Sequence, residues 1–351
     1  MHEASSVTAA GARPGEARSV ASSAVEGRDY ALDWVKGALV LLMVLYHWLN
    51  YFIGLDWPGY PYLRFLTPSF LFITGFIVGR VYLARYAGSP WQLAGRSWQR
   101  GVKLLTLFTV LNFVDTASAL GSIDPDILKW AWPSERLEAV FLHGGGGAAF
   151  SILIPIAYFL FAVPLIWWSV RVAGVPLWLL ASAMVALAIT RALSGYGNAQ
   201  FEFISVGVAG AGLGAARRFK LEFLASHVAL LLVLYGLHLA AIAVWNTPFE
   251  VQVVTTYLNV SFLYACASRL NPRLILKQGV VELGEYSLFA YVVQIVALQV
   301  LRRGMPAPPG VGGKALALAV AILLTCAAVR LMARIRSRSR PVDWWYRTVF
   351  A

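Results

Sequence analysis

The chain has 351 residues, 59% of them hydrophobic and only 13% charged, with a mean hydropathy of +0.67 and a formal net charge of +12. Soluble domains carry roughly 25% charged residues, so this composition excludes a soluble enzyme. Long continuous apolar runs exclude the alternating strands of a membrane barrel. The positive charges lie between those runs, which also excludes a nucleic-acid partner.

Residues 1–30 are rich in Ala, Ser, Gly and Arg without apolar periodicity, and read as a disordered cytoplasmic tail. Ten apolar segments follow, at about 32–53, 61–84, 102–120, 149–170, 175–193, 201–216, 224–245, 249–268, 284–302 and 314–334. The expected fold is an all-α polytopic membrane protein of about ten transmembrane helices. The transmembrane domain is placed at 31–336 and a basic, aromatic cytoplasmic tail at 337–351, with Trp344-Trp345-Tyr346-Arg347 as an interfacial anchor. With the N-terminus inside, 22 of the 29 Lys and Arg residues fall on the cytoplasmic side, which places both termini there.

The sixth segment, FEFISVGVAGAGLGAA, carries Gly207, Gly210 and Gly214, suited to close helix packing or to a re-entrant stretch. The largest extracytoplasmic loop, about 121–148, contains His143, Gly144–Gly147 and a mixed-charge stretch that reads as an interfacial helix pair broken at Pro133. Cys266 and Cys326 fall inside apolar runs as packing residues. No Cys or His spacing suits a metal.

The first segment holds the chemistry. Lys36 and His47 are eleven residues apart, three helical turns plus about 20°, so they share one helix face. Helix rise separates them by about 16 Å. Ionisable groups inside a span are costly and point to function. Asp33 either caps this helix or pairs with Lys36 or an arginine.

Four stretches together resemble one family. Lys36-x10-His47 in LDWVKGALVLLMVLYH is similar to the basic-x10-His pattern of the membrane-bound acyltransferase 3 family. Phe70-Leu71-Phe72-Ile73-Thr74-Gly75-Phe76 resembles its aromatic stretch ending in Ser-Gly-aromatic. Arg96, Arg100 and Lys103 are similar to its basic cluster before the third span. Leu283-Gly284-Glu285-Tyr286-Ser287-Leu288-Phe289-Ala290-Tyr291 resembles its Leu-Gly-x-x-Ser-Leu-x-x-Tyr segment. The chain departs from the pattern in Lys36 for Arg, Thr74 for Ser and Gln294 for a His. AAFSILIPIAYF also lacks the Glu of many polysaccharide O-acetyltransferases, so this region resembles the glucan-succinylating and heparan-type relatives more closely.

The resemblance implies transfer of an acyl group, commonly acetyl, from cytoplasmic acyl-CoA to a hydroxyl of a carbohydrate or lipid-linked acceptor. The Ala-, Arg- and Gly-rich composition and short loops point to a bacterial inner membrane. Lys36, Arg96, Arg100 and Lys103 would hold the CoA phosphates, and no metal is required. His47 would serve as general base or as acylated nucleophile. Thr74 or Asn50 would hydrogen-bond the imidazole or the acyl oxygen. The competing expectation is a transporter or flippase, with Lys36, His47, Arg96 and Arg191 lining a polar path.

Overall fold

The computed structural model describes residues 29–54, 57–120, 138, 141, 150–216, 223, 226–244, 249–270, 275–304 and 310–350. The N-terminal tail and the loop expectations for His143, Pro133 and Gly144–Gly147 lie outside them. Among the described residues there are helices and no strand.

Helix α1 (Tyr30–Phe52) starts where Asp29 caps it, its side chain accepting from the Leu32 N–H at 3.1 Å. Asp33, in the first turn, instead forms an ion pair with Lys36 at 2.5 Å. The 3-10 turn Tyr60–Leu63 leads into α2 (Leu66–Ile77), which continues through a π-helical turn at Val78–Tyr82. Helix α3 (Pro90–Leu120) begins twelve residues before the expected span. At 31 residues it is about 46 Å long, more than a bilayer core requires. Arg96, Arg100 and Lys103 therefore sit on helix, not in a loop.

Then come α4 (Leu153–Arg171), α5 (Leu177–Leu193), α6 (Ala199–Ala215), α7 (Val228–Val244) and α8 (Phe249–Arg269). Helix α9 (Ile275–Glu285) has no counterpart among the ten expected segments. It meets α10 (Ser287–Gly304) at a 92° bend, so the ninth expected span starts from an elbow. Helix α11 (Val311–Arg338) is followed by α12 (Arg340–Val349), which packs back on the bundle with Tyr346 buried.

The ten expected segments are largely helical in their described residues, but fewer meet the length and apolarity of a membrane crossing. Among the described residues four helices do, or five if the bent α9–α10 pair is one span; α5 and α7 are shorter apolar helices. The outward faces are apolar, as at Leu232, Val233 and Leu237 of α7 and Leu316, Leu323 and Leu331 of α11. Such faces suit lipid rather than water. The chain is a helical membrane protein.

Helix α1 is the hub, packing against α2, α8, α9, α10 and α11. Two glycine crossings allow this density. A Cβ on Gly37 would overlap the Val280 carbonyl, and one on Gly284 would overlap that of Asp33, so α1 and α9 touch backbone to backbone. Helices α2 and α6 meet similarly, Gly75 against the Gly207 carbonyl and Gly210 against that of Phe72. The glycine-rich sixth segment is thus a closely packed helix.

Candidate active site

Helical spacing puts Lys36 and His47 on one side of α1, and the surrounding helices give each its own cavity. The first, of about 560 Å³, is lined by Lys36, Thr74, Arg100, Lys103 and Glu285, and by Arg336 and Tyr346 near the chain's end. The second, of about 670 Å³, is lined by His47, Asn50, Tyr46, Tyr51, Arg302 and Arg303, among others. Ile152 and Tyr291 line both, so the cavities lie back to back across these two side chains.

The Lys36 cavity is predominantly cationic. The Lys103 ammonium donates to the Arg347 carbonyl at 2.9 Å, tying α3 to α12. Arg100 lies over the Tyr82 ring at 5.7 Å. The Arg336 guanidinium is 4.0 Å from the centre of the Tyr346 ring and 5.2 Å from that of Tyr286. Its Nε and an Nη donate to Asp343 at 2.9 and 2.6 Å. The Arg336 hydrogen bonds and the nearby Arg347 charge hold the Asp343 carboxyl below the usual carboxylate range. Helix α12 thus forms one wall of this cavity.

Arg96 is not brought to it. It lies seven residues before Lys103, about 10 Å along α3, and opens with Arg85, Gln92 and Gln99 into a separate surface cleft. Thr74 lines the Lys36 cavity rather than joining His47, and its hydroxyl donates to the Phe70 carbonyl at 2.8 Å.

The His47 cavity is walled by aromatic rings. Tyr46 meets the imidazole edge-on at 5.3 Å, Tyr291 is 6.1 Å away, and Tyr51 stacks at 6.3 Å. The Tyr46 and Tyr60 hydroxyls share a hydrogen bond of 2.6 Å, which fixes one wall to the α1–α2 connection. Both His47 Nε2 and Asn50 Oδ1 are buried without a hydrogen-bond partner. Buried polar atoms left unpaired are uncommon and costly. Here two of them lie one helical turn apart beside a cavity.

The sequence profile of an acyltransferase domain matches residues 29–332. This chain belongs to the acyltransferase 3 family. No curated protein and no solved structure matches it. The matched region contains both glycine crossings and all of the His47 cavity, and stops before Arg336 and α12.

Within the family framework, the Leu-Gly-x-x-Ser-Leu-x-x-Tyr segment acquires physical roles. Gly284 allows α9 to touch α1 at Asp33. Tyr286 occupies the elbow, its ring 5.2 Å from that of Tyr346. Glu285, Ser287 and Leu288 line the Lys36 cavity, and Tyr291 separates it from His47. Gln294 is fully buried with both amide atoms unpartnered and lines neither cavity. Sequence reasoning missed Arg336 and Tyr346, and it missed the dividing position of Tyr291.

Proposed function

We propose that this acyltransferase carries an acyl group, most simply acetyl, from acyl-CoA in the Lys36 cavity to an acceptor hydroxyl in the His47 cavity. The observation that carries this reading is the back-to-back arrangement: cations on one side, an unpaired buried imidazole nitrogen on the other, and Tyr291 with Ile152 between them. Lys36, Arg100, Lys103 and Arg336 supply charge for the CoA phosphates. The ten-helix arrangement with cytoplasmic termini would open the Lys36 cavity to the cytoplasm, in keeping with the positive-inside count.

In the proposed reaction His47 Nε2 takes the proton of the acceptor hydroxyl as its oxygen attacks the thioester carbonyl. A C–O bond forms, the C–S bond breaks, and the CoA thiolate leaves and is protonated. The about 16 Å of helix rise between Lys36 and His47 is of the order of an extended pantetheine arm. The acceptor is a glycan-type hydroxyl compound, extracytoplasmic or membrane-held, and the setting is a bacterial inner membrane. Membership of an acyltransferase family supports this reading over a transporter.

Membrane vesicles containing the full chain, supplied with labelled acetyl-CoA, test the proposal. Label should pass to hydroxyl products with wild type and fall at least about 100-fold with His47→Ala, the usual scale for loss of a general base. Undiminished transfer by a normally inserted His47→Ala protein would overturn the assignment.

A further inference from the structure

The His47 cavity also bears on the chemistry of the acceptor. Two buried acceptor atoms, His47 Nε2 and Asn50 Oδ1, lack donors. They belong to residues at i and i+3 of α1, which are neighbours on one helix face. Two adjacent hydroxyl groups of one ligand would satisfy both. The side chains of Tyr46, Tyr51 and Tyr291 line the cavity around them, an aromatic setting of the kind that sugars pack against.

The remaining feature is charge. Arg302 and Arg303 line the same cavity, and among its described lining residues there is no Asp or Glu. The Arg302 guanidinium stands over the Tyr51 ring at 5.7 Å, and Tyr51 stacks on His47 at 6.3 Å. Arg302 and His47 thus both border on the Tyr51 ring, so an anion held by Arg302 would lie in the same cavity as the imidazole. Planar, multi-donor guanidinium groups suit carboxylate and phosphate.

We infer that the acceptor is an anionic sugar, whose adjacent hydroxyls meet His47 and Asn50 and whose carboxylate or phosphate is held by Arg302, with the Arg303 charge beside it. This rests on the proposed role of the His47 cavity as the acceptor site. It narrows the acceptor class to acidic glycans or phosphate-bearing saccharides and disfavours neutral ones.

Calorimetric titration of the purified full chain in detergent micelles tests the inference without requiring turnover. The probes are methyl glucuronide, glucose 1-phosphate and neutral methyl glucoside. At least one anionic probe should bind about tenfold or more tightly than the neutral sugar, on the scale of one charge-assisted contact. The preferred probe distinguishes carboxylate from phosphate. The advantage should shrink with added salt and vanish in Arg302→Gln/Arg303→Gln with its thermal transition retained. Asn50→Ala should weaken all three probes alike.

Equal binding of neutral and anionic probes by wild type would overturn the inference, a result that needs no variant to fold. So would an anionic advantage that survives the double substitution. The parent reading fails separately: anion-selective binding without any acyl transfer would remove the proposed reaction alone. Transfer to neutral sugars with no anionic preference would remove the acceptor class alone.

Discussion

Lys36 and His47 lie on one face of α1 yet open into different cavities, and Tyr291 lines both. That relationship turns one helix into a two-ended scaffold. The side chain between its two ends becomes as informative as the ends themselves.

Tyr291 is 7% exposed, and its ring also meets Phe150 at 6.0 Å. Tyr291→Ala should merge the cavities and cost about 3 kcal/mol, the scale of losing a buried aromatic side chain. Uncoupled release of free acyl from acyl-CoA should rise as transfer falls. Tyr291→Phe should keep the barrier and the thermal transition. Product analysis with labelled acetyl-CoA, alongside melting in detergent, would check both. An unchanged hydrolysis-to-transfer ratio in Tyr291→Ala would refute the barrier role.

The ion pair beneath Lys36 complicates any simple test of that residue. Asp33 is 6% exposed, so Lys36→Ala leaves a buried carboxylate without this partner. Breaking a buried pair from one side costs about 3–5 kcal/mol. With the Lys36 side chain 21% exposed, the lower end of that range is expected. Lys36→Ala/Asp33→Asn should therefore melt higher than Lys36→Ala while sharing its weakened acyl-CoA binding. Equal melting of the two variants would show that the pair does not govern stability.

Gly284→Ala should be disruptive because its methyl group would overlap the Asp33 carbonyl of α1. Overpacking of this kind costs about 1–3 kcal/mol or more, and the displaced α1 should lower transfer as well. Gly236→Ala on α7 is the control. Nothing lies within 4 Å of its added Cβ, and the better helix propensity should leave melting unchanged or raise it slightly. Thermal melts check both: only the Gly284→Ala protein should melt lower than wild type.

The Arg336–Asp343 contact makes docking of α12 dependent on pH. Because the Asp343 carboxyl is held below its usual range, its stabilisation is fully present above the unfolded value of about 3.9. That contribution is lost as pH falls through the lower docked value. Asp343→Asn should reproduce the loss at neutral pH. Hydrogen exchange of residues 340–349, corrected for intrinsic rate, should accelerate in the variant and in acid. Exchange that ignores both changes would refute the contact's role.

Much of the helix order was legible because apolar runs announce spanning helices directly. The Lys36–His47 face followed from helical periodicity, and Asn50 lies one turn beyond it. Other residues depended on geometry that no local pattern encodes. Arg336 and Tyr346 reach the Lys36 cavity only because α12 turns back after Ser339. Arg96 looked equivalent to Arg100 and Lys103 by spacing, but periodicity gives a face and not a depth. The elbow at Tyr286 is hidden in the sequence because the expected span at 284–302 runs straight through it, while most of α9 falls outside every expected segment. Asp33 suits a cap by its place in the sequence, yet Asp29 takes that position and Asp33 pairs with Lys36.

Helix α12 lies beyond the family-matched residues while Tyr346, Val349 and Phe350 help enclose the Lys36 cavity. The enclosure is therefore modular: the family-matched bundle need not change for the pocket's size and charge to be retuned. With the Lys36 cavity as the proposed donor site, exchanging residues 340–350 between related chains would be a direct route to altered donor selectivity, leaving the His47 cavity untouched.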